Sequence, residues 1–157
     1  MKYIFLDIKG VLNPYKFDKE RDEINVENID GSRLDLLKEI VKKTGAKIIL
    51  ISEWSKHWEK SEIFCDKIGK ELNEIFKKHG IEICDKTPYM SDNGISAYLS
   101  DNRLTDLEAF CIIDENMHVW DSPSPFLAVS TQKSCNGLEK RHVEMIIESL
   151  NRKGQDF

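Results

Sequence analysis

The chain opens on MKYIFLDIKGVLN, and no other segment constrains its fold as much. Tyr3–Leu6 is an unbroken apolar run of strand length, Asp7 follows it, and Gly10 breaks the pattern into a loop. An apolar run without polar alternation suits a strand buried on both faces, as in a parallel sheet covered by helices. The rest of the chain repeats that alternation, which favours an α/β fold. Strands are expected at Lys2–Asp7, Lys47–Ile51, Ile81–Cys84, Phe110–Ile113 and Phe126–Val129. A first helix, capped by Asp30 or Ser32, carries Leu34, Leu37, Ile40 and Val41 at helical spacing and ends at Gly45. A second is expected over Glu62–Lys78, with Ile63, Phe64, Ile68, Leu72, Ile75 and Phe76 on one side and Gly80 as its stop. A short third covers Gly94–Leu99, and a fourth Leu138–Arg152, with Gly154–Phe157 as a frayed tail. The loop from Lys9 to Asn28 is long and polar, and is read as a small flap.

Composition narrows the class. A length of 157 residues suits one domain, residues 1–157, with a sizeable core and no large cap domain. The apolar and charged fractions, 40% and 32%, are those of a globular chain, and the net charge of -5 speaks against a whole-surface nucleic-acid footprint. No apolar stretch approaches the roughly 20 residues of a membrane span, and the run after Met1 is too short for a secretory core. Cys65, Cys84, Cys111 and Cys135 show neither CxxC nor zinc spacing. They are read as free thiols of a cytoplasmic protein, with a Cys84–Cys135 bridge as the alternative.

Polar residues close the expected strands: Asp7 after the first, Ser52 and Glu53 after the second, Asp114 and Glu115 after the fourth. Open α/β sheets bind ligands beyond the carboxyl ends of their strands. Phosphoryl transfer to a carboxylate needs an attacking Asp, a hydroxyl and amides for the phosphoryl oxygens, and a hard cation on oxygen ligands. A cationic side chain for the developing charge completes the set. The bland readings are a turn-capping Asp7, a turn Ser52 and a solvated Asp114–Glu115 pair. Trp54 and Trp58 are read as packing residues, with a base-stacking platform as the alternative. His57, His79, His118 and His142 lack ligand spacing and are read as surface or structural residues.

The opening segment resembles the first signature of the haloacid dehalogenase-like (HAD) superfamily, hhhhDxDGhh. That superfamily is mostly magnesium-dependent phosphatases whose first Asp is the nucleophile. Over nearly the whole length, FLDIKGVLN, IILISEWS, DNGISAYL, CIIDEN and CNGLEKRHVEMIIESL resemble, in order, the compact HAD domain of Swiss Army Knife RNA repair proteins. The resemblance implies a three-layer Rossmann-like fold: a mainly parallel five-stranded sheet, order near 3-2-1-4-5, with helices on both faces. It implies Asp7 and the residue at position 9 as catalytic and Ser52 and Glu53 as phosphate-binding, with Lys86 expected from its place in the sequence as a further phosphate contact. It also implies Mg2+ on Asp7, residue 9, Asp114 and Glu115. The expected partner is a phosphorylated small molecule or a nucleic-acid end, with no membrane.

The chain departs from that pattern in places that bear on chemistry. Lys9 replaces the second Asp of the signature, Asn93 stands where a basic residue precedes Gly94, and Ser55 stands where Arg often follows the Trp. Lys86 is the nearest alternative cation in sequence. A Lys9 ammonium against Asp7 would lower the Asp7 pKa and weaken or exclude Mg2+, leaving a pseudoenzyme that binds a phosphorylated ligand or a protein. Alternatively the residue 9 carbonyl still binds metal and Asp7 still attacks, with slow hydrolysis because Lys is a poor base for water. The leading reading is a phosphohydrolase acting on a phosphomonoester through an aspartyl-phosphate on Asp7. A receiver-like domain would carry its acidic pair after the first strand and its acceptor after the third, the reverse of this order.

Overall fold

The computed structural model describes residues 1–13, 24–88, 92–102, 106–115, 127–130 and 137–152. Its elements are β1 (Lys2–Leu6), α1 (Gly31–Thr44), β2 (Lys47–Leu50), α2 (Lys67–Lys78), β3 (Ile83–Lys86), α3 (Asp92–Asp101), β4 (Ala109–Asp114), β5 (Leu127–Ser130) and α4 (Lys140–Asn151). The strands form a parallel sheet in the order β3-β2-β1-β4-β5. β1 is central, which explains why Tyr3–Leu6 is apolar at every position: both of its faces are covered. Ile4, Leu6, Ile48, Leu50, Cys111 and Ile113 face the larger core layer, filled from α1, α2 and α4 by residues such as Leu37, Phe76 and Val143. Tyr3, Phe5, Ile49 and Ile112 face the smaller layer under Ile95 and Tyr98 of α3. There Phe5 meets Tyr98 and Phe110 edge-on, at ring separations of 5.9 and 5.6 Å.

The first strand runs outward to β2 and β3, and the chain then returns to the other side of β1 for β4 and β5. The strand order therefore reverses between β1 and β4. A crevice opens at such a switch point, beyond the carboxyl ends of the strands. Register places Leu6 beside Ile113, so Asp7 emerges next to Asp114.

Some expected elements shift. The helix expected from Glu62 begins only at Lys67, because Cys65 is extended and the Asp66 side chain caps the helix by accepting from the Gly69 N–H. Glu62–Phe64 is a separate 3₁₀ turn, and Ile63 and Phe64 are exposed rather than on the buried side. The third strand lies at Ile83–Lys86, not Ile81–Cys84, because the Ile81 N–H closes the end of α2 on the Phe76 carbonyl. Asp30, not Ser32, caps α1, and Gly45 ends it at φ +72°. Cys65, Cys84 and Cys111 carry free thiols. Pro14 and most of the expected flap, His118, Phe126, Cys135 and the tail Gly154–Phe157 lie outside the described residues. No helix among the described residues is long and apolar enough to cross a membrane.

Candidate active site

Asp7 is fixed at the crevice by its backbone: its N–H donates to the Ile113 carbonyl of β4 at 2.9 Å. Its Oδ1 accepts from the Ile8 N–H at 2.9 Å. Its carboxyl also shares a hydrogen bond with that of Asp114. Burial is the largest influence on its ionisation and raises its pKa well above the ordinary 3.8. Asp114 raises it further, Glu115 adds to the rise, and the Ile8 N–H opposes it. The net direction is upward, so Lys9 does not impose the lowering that an ammonium dominating this carboxylate would bring.

The turn after Asp7 is built to fit this place. The Ile8 carbonyl accepts from the Val11 and Leu12 N–H groups at 3.0 and 2.9 Å, giving one helical turn. Gly10 sits at φ +75°, where a Cβ would also stand 2.5 Å from the carboxyl carbon of Glu115. Glycine thus meets two needs, the left-handed backbone and room for the Glu115 carboxylate. The Gly10 N–H donates to Oδ1 of buried Asn13 at 2.6 Å. A backbone bridge pairs Lys9 with Asn13. Sequence reasoning assigned Asn13 no role; an Asn closing an otherwise apolar GVLN segment was the available signal. The Val11 carbonyl accepts from the Leu138 N–H at 2.8 Å, and a Cβ on Gly137, at φ +71°, would collide with that carbonyl.

From the neighbouring strand, the Ile51 N–H donates to the Leu6 carbonyl at 3.0 Å and brings Ser52 to the same end of the sheet. Ser52 is buried and caps the 3₁₀ turn Glu53–His57, its Oγ accepting from the Trp54 N–H at 3.2 Å. As acceptor there, the hydroxyl retains its own proton to donate. Glu53 is exposed at the first position of the turn. Trp54 and Trp58 are buried in the larger core layer, and Trp58 Nε1 donates to Asn73 Oδ1 at 2.8 Å, so both pack rather than form a platform. Lys86, at the end of β3, reaches this turn: its Nζ donates to the Ser55 carbonyl at 3.0 Å and to Glu59 Oε1 at 2.9 Å. Asn93 lies in the first turn of α3.

The donor chemistry around Asp7 fits a hard divalent cation. Acidic side chains gathered around Asp7, which raise its pKa, would be relieved by a positive ion, and their oxygen ligands suit a hard cation such as magnesium. Asp7 and Asp114 with the residue 9 carbonyl would hold it, and Glu115 over Gly10 adds a further carboxylate. Among the described residues no group of three His, Cys, Asp or Glu side chains is gathered closely enough to hold an ion alone. Mg2+ completes such partial sets with water and substrate oxygens. The described histidines serve structure. His57 Nδ1 meets Asp66 Oδ2 at 2.5 Å and His79 Nδ1 meets Asp35 Oδ1 at 2.8 Å. Buried His142 accepts the Glu139 N–H at 2.9 Å in the capping box of α4. A shallow groove of about 820 Å³, lined by Trp58, Lys60, Asn73 and Lys77, shares no residue with the Asp7 set.

Residues 3–143 match the family model described as the HAD domain in Swiss Army Knife RNA repair proteins. The chain belongs to that family. The match spans the strand-end residues Asp7, Ser52, Asp114 and Glu115 together with the sheet that brings them to one edge. In this HAD domain, Asp7 and Asp114 meet at the switch point, and Lys9, two residues after Asp7, stands at the sequence position where the superfamily signature has its second Asp. No curated protein and no solved structure matches the chain.

Proposed function

We propose that this HAD domain is a phosphohydrolase acting on a phosphomonoester through Asp7, with turnover slowed or altered by Lys9. The observation that carries the reading is the hydrogen-bonded Asp7–Asp114 pair at the crevice between β1 and β4. Two acidic side chains in contact in a partly buried crevice are an electrostatic cost to the fold, and such costs concentrate at functional sites. An Asp7 oxygen attacks phosphorus, the ester P–O bond breaks, and the leaving oxygen departs with the electron pair and takes its proton from solvent. Water then attacks the aspartyl-phosphate, releasing inorganic phosphate and regenerating Asp7. The Ser52 hydroxyl, the backbone N–H of Glu53 and the Lys86 ammonium hold phosphoryl oxygens. Asp7, Asp114, Glu115 and the Lys9 carbonyl would hold Mg2+, which when bound would supply charge neutralisation.

Residue 9 brings no carboxyl group to protonate the leaving alcohol or to take a proton from water. General acid–base help is worth about 10²–10⁴-fold, which sets the expected slowing. The family description names RNA repair, which supports a nucleotide or RNA end as the substrate class and a cytoplasmic setting. Lys9 itself favours a second reading, a pseudoenzyme that binds a phosphorylated ligand or a protein without turnover.

Turnover of a generic aryl phosphate with Mg2+ tests this on the protein as it stands, on Lys9→Asp, and on Lys9→Asp combined with Asp7→Asn. A gain of about 10²-fold or more in Lys9→Asp, abolished by Asp7→Asn, bears the proposal out. Turnover that survives Asp7→Asn refutes it. Binding without turnover in every form favours the pseudoenzyme.

A further inference from the structure

We propose that Glu59 is a positioning residue for phosphate binding: it holds the Lys86 ammonium in place against the turn that Ser52 caps. This rests on the reading of the Asp7 crevice as a phosphate-ester site. Register sets Lys86 level with Leu50, and Leu50 level with Leu6. Lys86 therefore lies at the last rung of the sheet, two strands across from the residue that precedes Asp7, a span of about 10 Å. Its Nζ donates to the Ser55 carbonyl at 3.0 Å and to Glu59 Oε1 at 2.9 Å. The Ser55 N–H in turn donates to the Ser52 carbonyl at 2.9 Å. A continuous line of hydrogen bonds thus runs from Ser52 through Ser55 and Lys86 to Glu59.

Glu59 is itself anchored. Its N–H donates to Cys65 Sγ at 3.3 Å, and its carbonyl accepts from that thiol at 3.3 Å. Cys65 is buried in the larger core layer, so the Glu59 carboxylate projects from a fixed point of backbone although its side chain is 48% exposed. A lysine side chain loses much rotamer freedom when it grips an anion. Two acceptors already in place remove that loss before the anion arrives. An ammonium has three donors, and among the described residues these acceptors take two of them. The third serves a phosphoryl oxygen.

Glu59 also offsets part of the charge that phosphate seeks. Water screens a half-exposed pair, so this opposition is small, and the ordering of Lys86 outweighs it. The two effects have opposite signs, which makes the inference testable by direction as well as by size.

Calorimetric binding of inorganic phosphate, with Mg2+ present, tests this on the intact chain, Glu59→Ala, Glu59→Gln, Lys86→Met, Ser52→Ala, and Glu59→Ala combined with Lys86→Met. Glu59→Ala should weaken phosphate about fivefold, the scale of immobilising one long side chain, and Lys86→Met by at least as much. Glu59→Gln keeps the acceptor oxygen and should recover most of the loss. Added to Lys86→Met, Glu59→Ala should have no further effect, because it acts through the ammonium. Lys86→Met strands no buried acceptor, since the Ser55 carbonyl retains the Trp58 N–H at 3.2 Å. Without ligand, Glu59→Ala should melt within about 4 °C of the unsubstituted protein, as loss of an exposed pair implies. Phosphate affinity in Glu59→Ala within twofold of the unsubstituted protein, or tighter, overturns the inference. So does a further loss in the double variant, no recovery in Glu59→Gln, or a larger fall in melting temperature. If Lys86→Met binds phosphate normally while Ser52→Ala weakens it, the inference falls and the Asp7 reading stands. If the unsubstituted protein binds no phosphate, the Asp7 reading falls with it.

Discussion

At the residue scale, Asp7 is held in conditions that favour its protonated form. Burial and two acidic neighbours raise its pKa above 3.8, so the folded chain binds a proton that the unfolded chain has released. That preference helps the fold at low pH and is lost as pH rises from about 3.8 through the raised folded value. Asp7→Asn removes the charge but retains hydrogen bonding. In metal-free buffer it should melt a few degrees higher than the unsubstituted protein near neutral pH, with the gap closing toward pH 4; about 1 kcal/mol shifts a domain of this size by that amount. Thermal unfolding across pH reads it, and an unchanged gap would mean that Asp7 is ionised in the fold like any surface carboxylate. The positions of Asp7 and Asp114 were legible as acids at strand ends, but the upward shift of Asp7 was not, because desolvation is a property of the packed site. Lys9 in the sequence suggested the opposite direction, but the net shift is upward, set first by burial and then by Asp114.

At the element scale, the turn after Asp7 is docked onto the start of α4. Gly137 allows the Leu138 N–H to reach the Val11 carbonyl, and no side chain fits between them. Gly137→Ala should cost about 1–3 kcal/mol, from its left-handed backbone and the collision, seen as a lower urea midpoint at unchanged slope. The first turn of α4 carries a pH-sensitive cap. His142 Nδ1 must be unprotonated to accept the Glu139 N–H, and burial, with Arg141 adding to it, lowers the His142 pKa below 6.5. The unfolded chain takes up a proton near 6.5 while the folded chain resists it, so this contribution is present above pH 6.5 and is lost as pH falls below it. His142→Gln keeps the reciprocal cap without titrating. Its stability should therefore change less than that of the unsubstituted protein between pH 7.5 and 5, measured by denaturant unfolding. The start of α2 was misread for a related reason. Ile63 and Phe64 fit the helical period, but Asp66 is the better cap, and a cap decides where a helix begins more sharply than periodicity does.

At the scale of the whole molecule, a ligand that binds the crevice stabilises the fold in proportion to its occupancy. Added Mg2+ should raise the melting temperature of the unsubstituted protein, and Asp114→Asn should diminish that rise. Equal rises in both would place the ion elsewhere. The alternation of apolar strands with amphipathic helices was determined by the sequence alone, because burial on two faces and burial on one leave different periods in the chain. The acids and the hydroxyl at strand ends, and the glycine after Asp7, were determined there too, since each follows directly on an apolar run. The strand order was an expectation of the family resemblance rather than of periodicity, and only the tertiary structure decided that Asp7 and Asp114 share a hydrogen bond, that Glu115 covers Gly10, that Lys86 reaches the Ser52 turn and that Arg33 keeps a buried, unpartnered Nε. Those contacts join residues distant in the chain, and local periodicity carries no information about which distant segments will pair.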